Sequence, residues 1–221
     1  MLIQGQVGQI NALDGVQNNI RQGRTGELIL SQAHARFYEQ ASRGSLYTLT
    51  TLATTTGIAA GNLVGAAANA ATQFAIWNPV GSGINMNIQK VFVAMISGTP
   101  PGGPIFHGVF LYGNPTNLST FDTGRGALNN LIGGKSPVCR YINTAAQSGT
   151  TITGGTAPAV LKAMTIDFSA SSYANAGGAN CLDLVEGDIV IPPGYGWLPL
   201  WASAGTSVLN SYSVTWEEVP I

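Results

Sequence analysis

The end of the chain decides the fold: residues 187–200 read GDIVIPPGYGWLPL and residues 211–221 read SYSVTWEEVPI. In the last segment the large apolar residues Tyr212, Val214 and Trp216 alternate with small polar or acidic residues. Alternation with a period of two is typical of a strand that buries one face. The proline pair within 187–200 cannot donate hydrogen bonds to a sheet, so it predicts a turn between two strands. Together these features indicate an antiparallel β-sandwich.

Short alternating or apolar runs, separated by turn residues, continue through the rest of the chain. The runs predicted as strands are 27–30, 35–39, 46–50, 73–77, 84–96, 106–112 and 161–168. The alternation changes phase at Val91, which predicts a β-bulge or a strand that becomes buried on both faces. With about eight to ten strands and no strong amphipathic helix, we predict an all-β, jelly-roll-like antiparallel β-sandwich.

The composition bounds the possible partners. Only 9% of the 221 residues are charged, against about 25% in ordinary soluble domains. We interpret this deficit as a surface covered by other copies of the chain or by a larger assembly; a neutral extracellular surface rich in Thr, Asn and Ser is the alternative. The net charge of −1 predicts no direct binding to nucleic acid or to anionic membranes. The start of the chain lacks the pattern of a signal peptide, and the Ala-rich stretch 57–77 is too interrupted by Gly and polar residues for a membrane span.

Residues 1–26 differ from the rest and predict an extended N-terminal arm, with residues 27–221 as one β-sandwich domain. In the arm, Gln and Asn separate single aliphatic residues, so the segment cannot bury a face of its own and would order only against a partner. The candidate contact residues of the arm are Val7, Ile10, Leu13, Val16, Ile20, Arg21 and Arg24. Arg21 and Arg24 cluster with Arg36 and Arg43, and we interpret the four as solvated charges or as partners of Glu27 and Glu39. The alternative is contact with an acidic partner surface.

We predict no catalytic, cofactor-binding or metal-binding residues. The run 133–136 (GGKS) resembles the end of a phosphate-binding loop, but Asn129 stands where that motif needs Gly, and Pro137 stands where its helix would begin. A surface turn is therefore predicted. The histidines, His34 and His107, lack the neighbours of a cupin metal site. His107 lies in an apolar run and is expected to be a hydrogen-bonded core residue, although a Ser-His-Asp arrangement would be visible only in space.

Carboxylates and cysteines offer weaker candidates. Asp183, Glu186 and Asp188 surround a predicted turn and are expected to be solvated; the alternative is a Ca²⁺ site in the turn 182–188. Glu217 and Glu218 should point to opposite faces of one strand and cannot form a catalytic pair with each other. The four tryptophans are expected in the core rather than on a sugar-stacking platform. Cys139 and Cys181 have no metal or redox spacing and are expected to be free buried thiols, with a single disulfide as the alternative.

Three segments together suggest a family. The run TGELILSQAHARFYE at 25–39, FAIWNP at 74–79, and IPPGYGW at 191–197 with WEE at 216–218 resemble small virion proteins of tailed bacteriophages. The resemblance implies a jelly-roll or β-sandwich protein that decorates or cements the icosahedral head, often as a trimer, with N-terminal arms over neighbouring capsomers. The three segments consist of strand and turn residues and contain no catalytic motif. No residue role carries over from the resemblance, and the insert at 57–71 has no counterpart in it.

We therefore expect a virion structural protein on the capsid exterior, assembled in the host cytoplasm and bound to the major capsid protein of a phage head. Self-association, most simply as a homotrimer, is expected because the apolar runs 91–96 and 106–112 exceed what one thin core needs. The alternative is a host-receptor or carbohydrate-binding head-fibre or tail-tip protein that uses the loops 100–104, 114–130 and 145–157. A cupin-like or glycoside-cleaving enzyme comes third.

Overall fold

Strands dominate the computed structural model, which describes residues 5–6, 20–21, 35–51, 61–62, 74–99, 104–111, 127–142, 159–167, 180–201 and 206–221. The chain divides into two compact units, Met1–Glu39 and Gln40–Ile221. In the first unit, β1 (Gly5–Gln6) and β2 (Ile20–Arg21) pair in parallel. Of the candidate arm residues, Val7, Ile10, Leu13, Val16 and Arg24 lie outside the described residues, and Ile20 and Arg21 are described only by their backbone. The arm itself stays a prediction.

One sheet of the second unit has the order β10-β7-β13-β5-β9, with the two-residue β4 also paired to β13. Its strands are β4 (Gly61–Asn62), β5 (Ala75–Trp77), β7 (Pro104–Leu111), β9 (Arg140–Ile142), β10 (Ala159–Asp167) and β13 (Tyr195–Trp201). All of its pairings are antiparallel except β4 with β13. We call this the first sheet.

The second sheet has the order β11-β6-β14-β3-β8, with β12 also paired to β6. Its strands are β3 (Leu46–Thr50), β6 (Ile84–Thr99), β8 (Ala127–Asn129), β11 (Asn180–Asp183), β12 (Ile189–Ile191) and β14 (Thr206–Pro220). Every pairing in it is antiparallel. The prediction of an all-β antiparallel sandwich is confirmed.

An apolar core between the sheets draws side chains from both of them. As the alternation predicts, Tyr212, Val214 and Trp216 of β14 all point into it and are fully buried. Trp197 and Trp201 of β13 meet them from the first sheet. Because both sheets supply alternate residues to one cluster, the two sheets pack face to face.

The turn between β12 and β13 follows from the proline pair. The Tyr195 amide donates to the Pro192 carbonyl at 3.2 Å, which closes a four-residue turn. Gly194, its third residue, has φ 89°, a left-handed conformation that favours glycine and that a type II turn requires at this position. The short turn sets β12 in the second sheet and β13 in the first, so the chain crosses the sandwich here.

The first sheet also buries its other face. A second apolar cluster contains Ala75, Trp77, Phe110, Ile142, Leu198 and Leu200, each at most 3% exposed. Close packing in this layer depends on Gly196, because a Cβ added there would lie 2.1 Å from Cζ of Phe110. The run 106–112 is therefore apolar on both faces because its side chains pack into both clusters.

The predicted phase change in β6 is a β-bulge. Trp216 of β14 pairs with Ile88, whereas the preceding residue Thr215 pairs with Lys90, so Gln89 is the extra residue. The bulge moves Val91 and Val93 to the inner face, where both join the core. Gln89 also accepts a hydrogen bond from the Glu186 amide through its carbonyl, at 2.8 Å.

The prediction of a strand at 35–39 is wrong. Residues Tyr38–Ser42 form a short helix, α1, preceded by a turn in which the Tyr38 amide donates to the Ala35 carbonyl at 2.9 Å. A five-residue run of mixed polarity has no decisive period, and the good helix formers Gln40 and Ala41 follow it. No helix within the described ranges is long and apolar enough to cross a membrane.

Candidate functional site

His107 is a buried polar residue that is hydrogen-bonded to both sheets. It lies on β7, is fully buried, and its Nε2 is 2.7 Å from Oδ2 of Asp183 on β11. The indole Nε1 of Trp197, on β13, donates to His107 Nδ1 at 3.1 Å. The prediction of a hydrogen-bonded core histidine is confirmed. The sequence did not indicate its partners, which lie 76 and 90 residues away.

This geometry leaves His107 no nitrogen with which to accept a proton from a substrate. An indole N–H only donates, so Nδ1 of His107 is the acceptor and Nε2 carries the proton that bonds Asp183. Burial, the largest cause, lowers the pKa of His107, while Asp183 acts in the opposite direction. The arrangement joins the two sheets and does not resemble a general base poised beside a nucleophile.

The turn after β11 differs from expectation at one residue. Asp183 was expected to be solvated, but its side chain is only 13% exposed because it faces His107. Asp188 does lie at the surface, where Lys162 Nζ contacts its Oδ2 at 2.8 Å. This partner lowers the pKa of Asp188 and raises that of Lys162. Among the residues that the structure describes, no three His, Cys, Asp or Glu side chains are grouped as a metal site.

The phosphate-loop candidate is a turn, as predicted. The Gly134 amide donates to the Leu131 carbonyl at 2.8 Å, and residues 134–137 are not helical. The side chain of Asn129 organises this turn by donating to the Lys135 carbonyl at 3.0 Å and accepting from the Leu131 amide at 2.9 Å. The amides of Leu131 and Gly134 are thus occupied within the turn.

Glu218 forms a second buried polar contact that the sequence did not indicate. Its carboxylate, 5% exposed, accepts hydrogen bonds from the Val138 amide at 3.0 Å and from the Cys139 amide at 2.9 Å. The Trp216 indole lies at 3.5 Å from the same carboxylate. Glu217 points the other way and is partly exposed, so the predicted opposition of the two glutamates is confirmed. We call this contact the Glu218 clasp, because it fixes the segment before β9 to the last strand.

Both cysteines are free and buried, as predicted. Burial is the largest cause that raises the pKa of Cys139, and the nearby Glu218 carboxylate adds to it. Burial likewise raises the pKa of Cys181, with Asp183 as the second cause. Neither thiol therefore has the thiolate character of a reactive cysteine.

The outer side of the second sheet carries the candidate interaction surface. The side chains between the core-facing residues of β3, β6, β11 and β14 point outward, because alternate residues of a strand face opposite sides. We define the open face as the outward residues Thr48, Thr50, Lys90, Phe92, Leu182 and Ser213.

The strand register arranges the open face in rows. One row runs Leu182, Phe92, Ser213, Thr50 across four strands. Leu182 and Phe92 are neighbours across β11 and β6, and they remain 56% and 37% exposed. Beside them the hydroxyls of Thr50 and Ser213 are 3.1 Å apart and bond each other. The open face therefore combines an exposed apolar pair with hydroxyls that bond one another.

Two further hydroxyl pairs join β14 to β3 and to Thr51, the residue after it. Thr48 and Thr215 bond at 3.1 Å, and Thr51 and Ser211 bond at 3.0 Å. Such cross-strand hydroxyl pairs stabilise the sheet without adding charge. Lys90 is the one charged residue among the six that define the open face.

The loops expected to form a receptor or glycan surface lie mostly outside the described residues. So do His34 and the Ala-rich stretch 57–77, apart from β4 and residues 74–77. The tryptophans do not form an exposed platform: Trp197, Trp201 and Trp216 are in the core, and Trp77 is in the second cluster. No protein-family model, curated protein or solved structure matches the chain.

Proposed function

We propose that the chain is a structural protein of a bacteriophage virion, which decorates or cements the capsid exterior as a homo-oligomer. The observation that carries the proposal is the open face, where Phe92 and Leu182 are exposed beside paired hydroxyls. Exposed apolar neighbours on a protein surface are typical of association sites. With 9% charged residues in the chain, a surface of this kind offers little electrostatic repulsion to another copy.

The strand order supports a jelly roll as the finer description of the sandwich. A jelly roll is one long hairpin of eight strands wound up, so that its first strand pairs with its eighth, its second with its seventh, and so on inward. The eight strands here are β3, β5, β6, β7, β10, β11 with β12, β13 and β14. The four expected pairs are β3 with β14, β5 with β13, β6 with β11 and β12, and β7 with β10, and each is present. β8 and β9 extend the edges at β3 and β5.

The jelly roll by itself does not choose among functions, because capsid proteins, lectins and cupins share it. The described side chains supply the support for the proposal. His107 is enclosed and fully hydrogen-bonded, and the tryptophans that could stack on sugars are buried. The open face, by contrast, has exposed apolar neighbours and uncharged hydroxyls, a chemistry that fits protein association. Among the residues that the structure describes, this chemistry supports the structural role.

The open face is the proposed contact between copies of the chain, and it is tested by charge insertion. We expect Phe92→Lys to lower the molar mass measured by light scattering at micromolar concentration, because a buried ammonium without a partner opposes association. Ile132→Lys is the matched control, because it adds the same charge away from the open face. Ile132 lies in the turn after β8 and is 91% exposed. A wild-type chain that is monomeric, or an equal loss of mass in both variants, would count against the open face.

The N-terminal arm is the proposed tether to the shell. Its separated aliphatic side chains can occupy successive grooves while Gln and Asn bond a partner backbone. Ordering the arm costs about 1–2 kcal/mol per residue, which many simultaneous contacts on a repeating shell can offset. Deleting residues 1–26 should leave the β-type circular dichroism spectrum and the number of subunits in the oligomer unchanged. It should abolish co-sedimentation with assembled capsids. Equal co-sedimentation of both forms would refute the tether and assign attachment to the sandwich.

A further inference from the structure

The two sheets are joined in the core by a chain of hydrogen bonds whose polarity allows one protonation state. Trp197 of the first sheet donates to His107 Nδ1, and His107 Nε2 faces the Asp183 carboxylate of the second sheet. The neutral imidazole with its proton on Nε2 satisfies both neighbours at once. We call these three residues the His107 bridge.

We propose that the His107 bridge is an acid-sensitive switch, intact while the imidazole is neutral and broken when it takes up a second proton. That proton has to go to Nδ1, because Nε2 already carries one. At Nδ1 it would confront the indole N–H at the present separation of 3.1 Å. Two donors cannot bond each other, so one ring has to turn away.

The surroundings make such a turn unfavourable. His107 and Trp197 are both fully buried, and Trp197 packs edge-on against Phe74 with ring centroids 6.4 Å apart. An indole N–H displaced from Nδ1 would be left in the core without an acceptor, which is costly. Protonation of His107 is therefore coupled to a local repacking around the hydrogen bonds that join the two sheets here.

The charged groups around the imidazole act in opposite directions. Asp183, from β11, favours the protonated ring, whereas burial and Lys162, from β10, disfavour it. Lys162 is itself held beside Asp188 at 2.8 Å. The outcome is a pKa of His107 below its usual value, with burial as the largest cause.

The direction of the pH effect follows from this lowered pKa. The unfolded chain takes up a proton at His107 near pH 6.5, while the folded chain resists it. Below about pH 6.5 the unfolded state therefore holds more protons, and the stability that the bridge supplies is lost as the pH falls. The limit for one proton is about a tenfold change in the unfolding equilibrium constant per pH unit.

His107→Gln isolates the contribution of the bridge. A Gln amide oxygen can accept from Trp197 and its nitrogen can donate to Asp183, yet the amide does not titrate. Denaturant unfolding at pH 7.5 and pH 5.5 should show the wild-type chain losing more stability on acidification than His107→Gln does. Parallel losses in the two proteins would overturn the proposal.

A direct titration keeps the proposal testable if His107→Gln fails to fold. NMR should place the pKa of His107 below 6.5 in the wild-type chain, with His34→Gln used to assign the other imidazole. Trp197→Phe removes the opposing donor and should raise the pKa of His107, whereas Asp183→Asn removes the favourable charge and should lower it. A pKa that stays unchanged or falls in Trp197→Phe would show that the indole does not oppose protonation.

Discussion

Replacing Glu218 by Ala tests how strongly the Glu218 clasp holds the last strand to the segment before β9. The carboxylate accepts from two main-chain amides, at 3.0 and 2.9 Å, and both the carboxylate and Cys139 are buried. Truncation would leave these amides without their acceptor. It would also remove the negative charge beside Tyr47. Burial, the largest cause, and this carboxylate, the second, raise the pKa of Tyr47 to about 12.

The magnitude can be worked from these contacts. A hydrogen bond to a charged group contributes about 1.5–3 kcal/mol, and two such bonds on one carboxylate are not fully additive. The 3.5 Å contact from the Trp216 indole is too long to add much. We therefore expect Glu218→Ala to lower the free energy of unfolding by about 3–5 kcal/mol, as for the removal of one partner from a buried charged contact.

Urea unfolding followed by tryptophan fluorescence measures this loss, and the adjacent residue supplies the control. Glu217 has the same side chain on the same strand but faces outward and is partly exposed. We expect Glu217→Ala to cost less than about 1 kcal/mol. If the two substitutions cost the same, the reasoning from the buried amides is refuted.

Three further outcomes follow from the packing. Gly196→Ala should destabilise the sandwich by about 1–3 kcal/mol, because its Cβ would meet the buried Phe110 ring at 2.1 Å, and in a Phe110→Ala background the added cost should largely vanish in the same urea assay. Cys139 and Cys181, buried thiols with raised pKa values, should react with a chromogenic disulfide reagent only after denaturant is added; rapid labelling of the native chain would contradict this. Asn78→Ala removes a buried amide that donates to two main-chain carbonyls, at 2.8 and 3.0 Å. It should lower the free energy of unfolding by about 2–3 kcal/mol, measured as a lower melting temperature.

Local pattern sufficed for much of the fold. The alternation at 212–216 predicted which residues of β14 face the core, and the proline pair predicted the turn before β13. The phase change at Val91 marked the bulge at Gln89. These features could be predicted because a strand's two faces and a turn's backbone angles depend on residues close together in the chain. The helix at Tyr38–Ser42 could not, since five residues of mixed polarity do not favour one period.

What the sequence by itself determined is therefore the class of the fold: strands with one or two buried faces, the turns between them, and the low charge of the whole chain. The tertiary structure alone decided which strands lie side by side, and with that every site. His107 meets Asp183 across 76 residues, and Glu218 meets Cys139 across 79. Leu182 becomes the neighbour of Phe92 only because β11 pairs with β6. The physical reason is that a residue's period sets the face on which its side chain lies, whereas its partners across the sheet and between the sheets depend on long-range pairing and register.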